Sequence, residues 1–384
     1  MPHITTALRR AVPAVAVAAV LVLAGCSAGG SSGGSSGSSK QDLSKFQTIV
    51  DNAKKPSTAW EGPTSTPTPP KNINIALVTC AGAVAGCVLP AQAAADAAKA
   101  LGWTATLYDG QGDPVTQNKV VTQAINGGAN AVILAGVDPS QIGSALDLAK
   151  QKNVPVGSIT QGVAPGNGIA YDIGANYETS GEIMGSWIIT DSKGSAVVLP
   201  TNDKEFASTN TIVTSAIDTV KKCNDCKLKA VEVFVGSNIG NGLGQRIASS
   251  LQRTPDVNYV IGAFDPAVSD MVPAIDQVGI GDRVKIISNV GLTQNLQFIE
   301  KGDVQAADIV YDNTYEGYAA IDQMIRLLNN QPLFKSTKET DPRYLYGENV
   351  PQHLTTKDNL TDPTKPWTAD NDAVNKFRAL WGLS

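Results

Sequence analysis

Ile73-Asn74-Ile75-Ala76-Leu77-Val78 is a short apolar run, and the helix pattern Pro90–Leu101 follows it after a small-residue loop. Pro90 suits a first helical turn and Gly102 a helix stop. The same unit then repeats. Thr104–Tyr108 reads as a strand and Thr116–Asn126 as a helix ended by Gly127-Gly128; Ala131–Ala135, Ser140–Lys152 and Pro155–Thr160 continue as strand, helix, strand. Strands alternating with ten-residue helices imply right-handed crossovers and a parallel sheet covered on both faces. Ligands bind such sheets outside the carboxyl ends of the strands. The loops that matter are therefore 79–89, 109–117, 136–141 and 160–168.

The alternation resumes further along. Glu178–Thr190, Phe206–Lys221, Gly242–Gln252, Val268–Val278, Thr293–Lys301 and Tyr315–Asn329 read as helices. Strands are expected at Ser195–Leu199, Ala230–Val235, Tyr259–Phe264, Val284–Val290 and Val304–Tyr311. One core does not hold this many strands, so two α/β lobes are expected. A net charge of −5 suggests neither nucleic acid nor an anionic surface as partner. With only two histidines, His3 and His353, histidine catalysis would rest on one residue in a polar tail. No nucleophile with its base, and no phosphate loop, stands out. Gly240-Asn241-Gly242-Leu243-Gly244 has the wrong pattern for a dinucleotide loop. The expectation is a protein that is not an enzyme and holds no cofactor or metal.

At the amino terminus Arg9-Arg10 precede the apolar run Ala11–Leu23, as in an export signal. The run ends in Leu23-Ala24-Gly25-Cys26, which resembles the lipobox of bacterial lipoproteins. That resemblance implies cleavage after residue 25 and a lipid on Cys26. Ser27–Ser39 is nearly pure Ser and Gly, a flexible tether with a reach of roughly 20 Å. Leu43, Phe46, Ile49 and Val50 mark a short helix within Lys40–Lys55, and Pro63, Pro67, Pro69 and Pro70 an extended lead-in.

The order and spacing of several further pieces resemble the type I periplasmic binding proteins, the ribose- and galactose-binding group of solute receptors. These pieces are the Asp109-Gly110-Gln111-Gly112-Asp113-Pro114 loop with Gln117, the stretch Ala124–Leu134, and Pro155-Val156. The others are Gly174-Ala175-Asn176-Tyr177 with Gly181, and Leu354–Asn359 near the end. The resemblance covers about residues 73–360. It implies two Rossmann-like lobes with parallel sheets, joined by a hinge the chain crosses three times, near Thr160, Tyr311-Asp312 and His353. The expected division is a signal peptide at 1–25 and a tether with its helix at 26–71. An N-terminal lobe would then comprise 72–160 with 312–352, and a C-terminal lobe and tail 161–311 with 353–384. It also implies a monomeric receptor that closes on a small, sugar-like solute and serves an ABC importer permease, or else presents the closed state to a membrane kinase.

Carried over residue by residue, the resemblance places Ala81, Asp138, Gln161, Asn202, Asp203, Phe264, Asp265, Asn289 and Tyr311 on the ligand. Asp138 could accept two sugar hydroxyls or cap the helix beginning at Ser140. Asp109 and Asp113 read as turn and cap residues. The family's sugar binders commonly carry Asp where Val290 stands, polar or aromatic contacts where Ala81–Gly86 stands, and an arginine in loop 200–210. The cleft is thus expected to be plainer and less charged than a pentose site. Four cysteines remain after Cys26, and an even number in an exported chain favours disulfides. Cys80 with Cys87 would staple the first ligand loop, and Cys223 with Cys226 would close a turn after a helix.

Overall fold

In the computed structural model the residues described are 41–55, 60, 62–335, 350–367 and 372–383. The signal, the Cys26 lipobox and the Ser/Gly tether lie outside them. Gln41–Ser384 forms one compact unit. Among the described residues no helix is long and apolar enough to cross a membrane.

The chain runs α1 (Ser44–Ala53), β1 (Asn74–Thr79), α2 (Ala85–Ala100), β2 (Thr104–Asp109), α3 (Pro114–Asn126), β3 (Ala131–Ala135) and α4 (Gly143–Lys152). It continues through β4 (Val156–Ile159), β5 (Asp172–Ile173), α5 (Tyr177–Asp191), β6 (Val197–Asp203), α6 (Ala207–Val220), β7 (Lys227–Leu228) and β8 (Glu232–Phe234). Then follow α7 (Leu243–Arg253), β9 (Tyr259–Ile261), α8 (Asp265–Gln277), β10 (Lys285–Val290) and α9 (Thr293–Lys301). β11 (Gln305–Tyr311), α10 (Asn313–Leu328), β12 (Gln352–Thr356) and α11 (Ala373–Leu380) complete the order.

The first sheet is parallel, ordered β2-β1-β3-β4-β5. The second is ordered β12-β11-β10-β9-β6-β7, with β8 also on β6, and only β12 runs antiparallel. Both orders reverse direction at an internal strand, β1 in the first sheet and β6 in the second. Strands such as β3, buried at every residue, match parallel sheets covered on both faces. The two-lobed α/β architecture expected from the sequence is the one found.

Local chemistry sets the helix entries. Asp113 accepts a hydrogen bond from the Thr116 N–H at 2.8 Å, and Pro114 occupies the first turn of α3. Asn176 accepts from Thr179 N–H at 3.0 Å to start α5, and Asp312 accepts from Tyr315 N–H at 2.9 Å to start α10. α2 differs from expectation by starting five residues before Pro90. Pro90 has no N–H to give Gly86, yet the turn holds, because the Cys80–Cys87 disulfide fixes its entry.

α10 returns from the second sheet to cover the first, packing on α2, β4 and β5. Its contact with α2 needs a glycine. A Cβ on Gly317 would stand 2.4 Å from the Ala94 nitrogen and 2.6 Å from the Pro90 carbonyl oxygen. We expect Gly317→Ala to cost about 1–3 kcal/mol by forcing the two helices apart, read as a lower urea midpoint.

The lobe boundaries differ from the division read off the sequence. β5 hydrogen-bonds β4, so the first lobe extends past Thr160 and the chain crosses at Gly174–Asn176 instead. The extended segment after Thr160 reads as a new beginning only because a long polar loop separates it from β4. α11, assigned to the second lobe by its position after residue 353, packs on α10 of the first. Phe377 of α11 is fully buried against Trp60, Tyr315, Tyr318 and Trp381. The Trp381 indole N–H also reaches Asp322 Oδ1 at 3.0 Å. At the other end, α1 lies on the second lobe, packing on α5 and β12. Phe46 inserts beside Ile189 and the Cys223–Cys226 disulfide. The described chain therefore crosses between the lobes before β1 and after β12, as well as at the three connections near Asn176, Asp312 and Val350.

Candidate functional site

The carboxyl ends of β1, β4, β10 and β11 face one another across the gap between the lobes. They enclose a cavity of about 60 Å³. From the first lobe come Val84, Cys87 and Thr160, and from the second Phe206, Phe264, Asn289 and Val290. The hinge connections themselves supply the rest: Tyr177 from the first turn of α5, Tyr311 from the end of β11, and Asn313 and Glu316 from the first turn of α10. The lobes touch above it, where Gln161 carbonyl accepts from the Ser208 N–H at 2.9 Å. Outside lies a recess of about 280 Å³, lined by Ala81, Gln111, Asp138 and Glu205 among others. Val84 and Phe206 line both spaces, so they form the partition between them.

The aromatic walls are held by one another. Tyr177 and Tyr311 meet edge to face with centroids 6.3 Å apart, and Phe206 meets Phe264 likewise at 5.9 Å. The Tyr311 hydroxyl lies 3.2 Å from Ser180 Oγ. Asn289 donates to the Ala263 carbonyl at 2.8 Å, which orients its amide.

Val290 carries φ of +121°, a conformation costly for a β-branched residue, and Gly291 follows at +88°. Asp265 holds this bend, accepting from Gly291 N–H at 2.9 Å and Leu292 N–H at 2.7 Å. Burial pushes the Asp265 carboxyl up to about 6. Burial and the nearby Asp265 charge push Asp308 well above the carboxylate range.

Of the positions carried over from the resemblance, Phe264, Asn289 and Tyr311 line the inner cavity. Ala81 and Asp138 line the outer recess. Asp138 accepts from Ser140 N–H at 2.9 Å and from the Gln141 amide at 3.1 Å, the geometry of a cap. Gln161 is buried and lends its carbonyl to the contact between lobes. Asn202 Nδ2 donates to Asn210, and Asp203 accepts from Glu205 N–H at 2.9 Å. Burial pushes Asp203 up to about 7. Asp265 braces a loop behind the wall. His353 lies on β12 against the Trp367 ring, and burial pushes it down to about 4.

Sequence reasoning missed Tyr177, Phe206, Asn313 and Glu316. The available signal was the pair of caps Asn176 and Asp312, each directly after a crossing: a capped first turn at a hinge presents its side chains to the cleft. Cys87 brings the first disulfide to the cavity wall. Its loop is short, and chain-entropy arithmetic gives about 2–3 kcal/mol for its closure. Reduction should lower the melting temperature accordingly, and a scan with and without dithiothreitol reads the difference.

The periplasmic binding protein domain profile matches residues 76–332. A comparison with curated protein sequences finds no match. Among solved structures, a 5-methylthioribose transporter solute binding protein from Thermotoga lettingae superposes with a TM-score of 0.67 at 21% identity. The alignment covers 82% of this chain and 95% of that one. A glucose-galactose binding protein from Geobacillus stearothermophilus gives 0.65 at 20% identity, over 76% and 99% of the two chains. An ABC transporter solute binding protein from Mycobacterium smegmatis, with bound glycerol, gives 0.64 at 19%, over 75% and 95%. With two hinged lobes of parallel sheet, and the matched profile spanning most of both, this chain belongs to the periplasmic binding protein domain family and has the type I fold.

Proposed function

We propose that the protein is an extracytoplasmic substrate-binding protein, lipid-anchored through Cys26, which captures a small, sugar-like solute by hinge closure and delivers it to an ABC importer permease. The observation carrying this reading is the inner cavity, walled by strand ends of both lobes and by the hinge connections. A solute there touches both lobes at once, and it favours the closed form by the contacts only that form supplies. The solved structures with sugars and polyols support the solute class. The lipobox and Ser/Gly tether support the anchor. The cavity offers hydrogen-bonding groups and aromatic faces, the chemistry a sugar-like solute would use.

A cavity of about 60 Å³ is smaller than a sugar requires, so the lobes must part to admit one. A thermal-shift screen of sugars, polyols and related metabolites, followed by calorimetry on hits, tests the proposal. Binding of one solute with a rise in melting temperature is expected; no response across the screen would count against a receptor role. Cys26→Ser should move the expressed protein from the membrane to the soluble fraction.

A further inference from the structure

Among the groups lining the inner cavity is a carboxyl that the protein itself satisfies only in part. Glu316 is only 4% exposed, lines the cavity, and its Oε1 has no hydrogen-bond partner. Two further carboxyls act on it electrostatically, Asp172 from β5 and Asp312 from the cap of its own helix. Asp172 is equally buried, and its Oδ1 is also without a partner, while Oδ2 accepts from Gly162 and Val163 N–H groups at 2.8 and 3.2 Å. Among the described residues no lysine, arginine or histidine lines the cavity. Aromatic rings line the same cavity, Tyr177 and Tyr311 at the hinge and Phe206 and Phe264 on the second lobe.

A buried carboxylate without a counter-charge is costly, and two neighbours of the same sign increase the cost. Burial first, then the charges of Asp172 and Asp312, push Glu316 well above the carboxylate range; the Thr160 N–H offsets this in part. In the ligand-free protein a proton relieves the arrangement; a cationic group would do so in its place, and the faces of aromatic rings attract that kind of ligand. A neutral hydroxyl could donate to Oε1 but would leave the acidic cluster uncompensated. We propose that the solute carries a positively charged nitrogen, which binds in the inner cavity against Glu316 and among the aromatic rings that line it. This deepens the receptor reading and rests on it. An amino sugar and an alkylammonium compound share this chemistry.

Matched probes separate charge from shape. D-glucosamine is compared with D-glucose and N-acetyl-D-glucosamine, and choline with its neutral isostere 3,3-dimethyl-1-butanol, by thermal shift and calorimetry on the full soluble chain. One cation should bind at least tenfold more tightly than its neutral partners. The pair that responds tells the amino sugar from the alkylammonium class. Glu316→Gln should abolish that preference without lowering the unfolding midpoint of the ligand-free protein, because it removes a buried charge and keeps the shape. If choline is the ligand, binding should strengthen as the pH is raised and the carboxyl loses its proton, since choline's own charge is constant. Neutral sugars binding as well as or better than the cations would overturn the proposal and leave the receptor reading standing. So would a preference for cations that survives in Glu316→Gln. If none of the five compounds binds, the charged-ligand proposal falls, and the broader metabolite screen decides the receptor reading separately.

Discussion

Phe377→Ala is expected to lower stability by about 3–5 kcal/mol, the largest loss foreseen for any single side chain outside the cavity. Phe377 is fully buried, and its ring meets Trp60 at 5.0 Å, Tyr315 at 5.5 Å and Trp381 at 5.8 Å between centroids. Removing it leaves a void among large rigid groups that cannot collapse into it. The same ring fastens α11 to α10, so its loss should also free the carboxyl-terminal helix. Two measurements separate these effects: a urea titration for the global midpoint, and limited proteolysis for cleavage before α11. A midpoint unchanged by the substitution, with α11 still protected, would show that Tyr318 and Trp381 suffice to hold the helix.

Stability should fall as pH rises from 4 to 7 in the ligand-free protein. Burial raises Asp172, Asp312 and Asp265 from the usual 3.8 to about 6. Between pH 4 and 6 the folded state therefore binds more protons than the unfolded one. The stability slope is then negative, with full benefit below pH 4 and all of it lost above pH 6 or so. A rise of about two pH units corresponds to about 3 kcal/mol for one such group. Asp203, raised to about 7, extends the window upward. His353, pushed down to about 4, works in the opposite sense between pH 4 and 6.5, but it is one group against several. Capping carboxylates such as Asp113, held low by Thr116, matter only under more acidic conditions. Melting curves at half-unit steps from pH 4 to 7 should show the temperature dropping by several degrees. A rising curve would mean that these carboxyls are solvated in the native state.

The lobes were legible because buried parallel strands are unbroken apolar runs and because caps and glycines punctuate the helices between them. β12 was not, since Gln352-His353-Leu354-Thr355-Thr356 is polar and gains its place by pairing with β11 rather than by its own propensity. α11 was legible as apolar but not in its destination, which depends on an aromatic cluster assembled from Trp60 and α10. The same division holds in the cleft. Phe264, Asn289 and Tyr311 stand where strands end, and strand ends can be read from a sequence. Glu316 and Tyr177 lie in first turns that the caps Asp312 and Asn176 mark, but the direction those turns face is set by the hinge, which no local pattern encodes. Carboxylates at strand ends are ambiguous for a physical reason: an aspartate that caps a helix, as Asp138 does, is spaced like one that receives a hydroxyl.

The return of α10 to the first lobe has a consequence for how the protein comes into being. β5 ends at Ile173, but α10, which covers β4 and β5, begins only at Asn313. During synthesis the β4–β5 end of the first sheet, beside the part that α2 covers, must wait bare until the whole second lobe and β11 have been made. Long-range pairing of this kind is slow and leaves apolar surface open to other chains. For the exported receptor proposed above, that delay is an advantage: the piece that locks the first lobe arrives last, so the lobe cannot close before the chain between has been made.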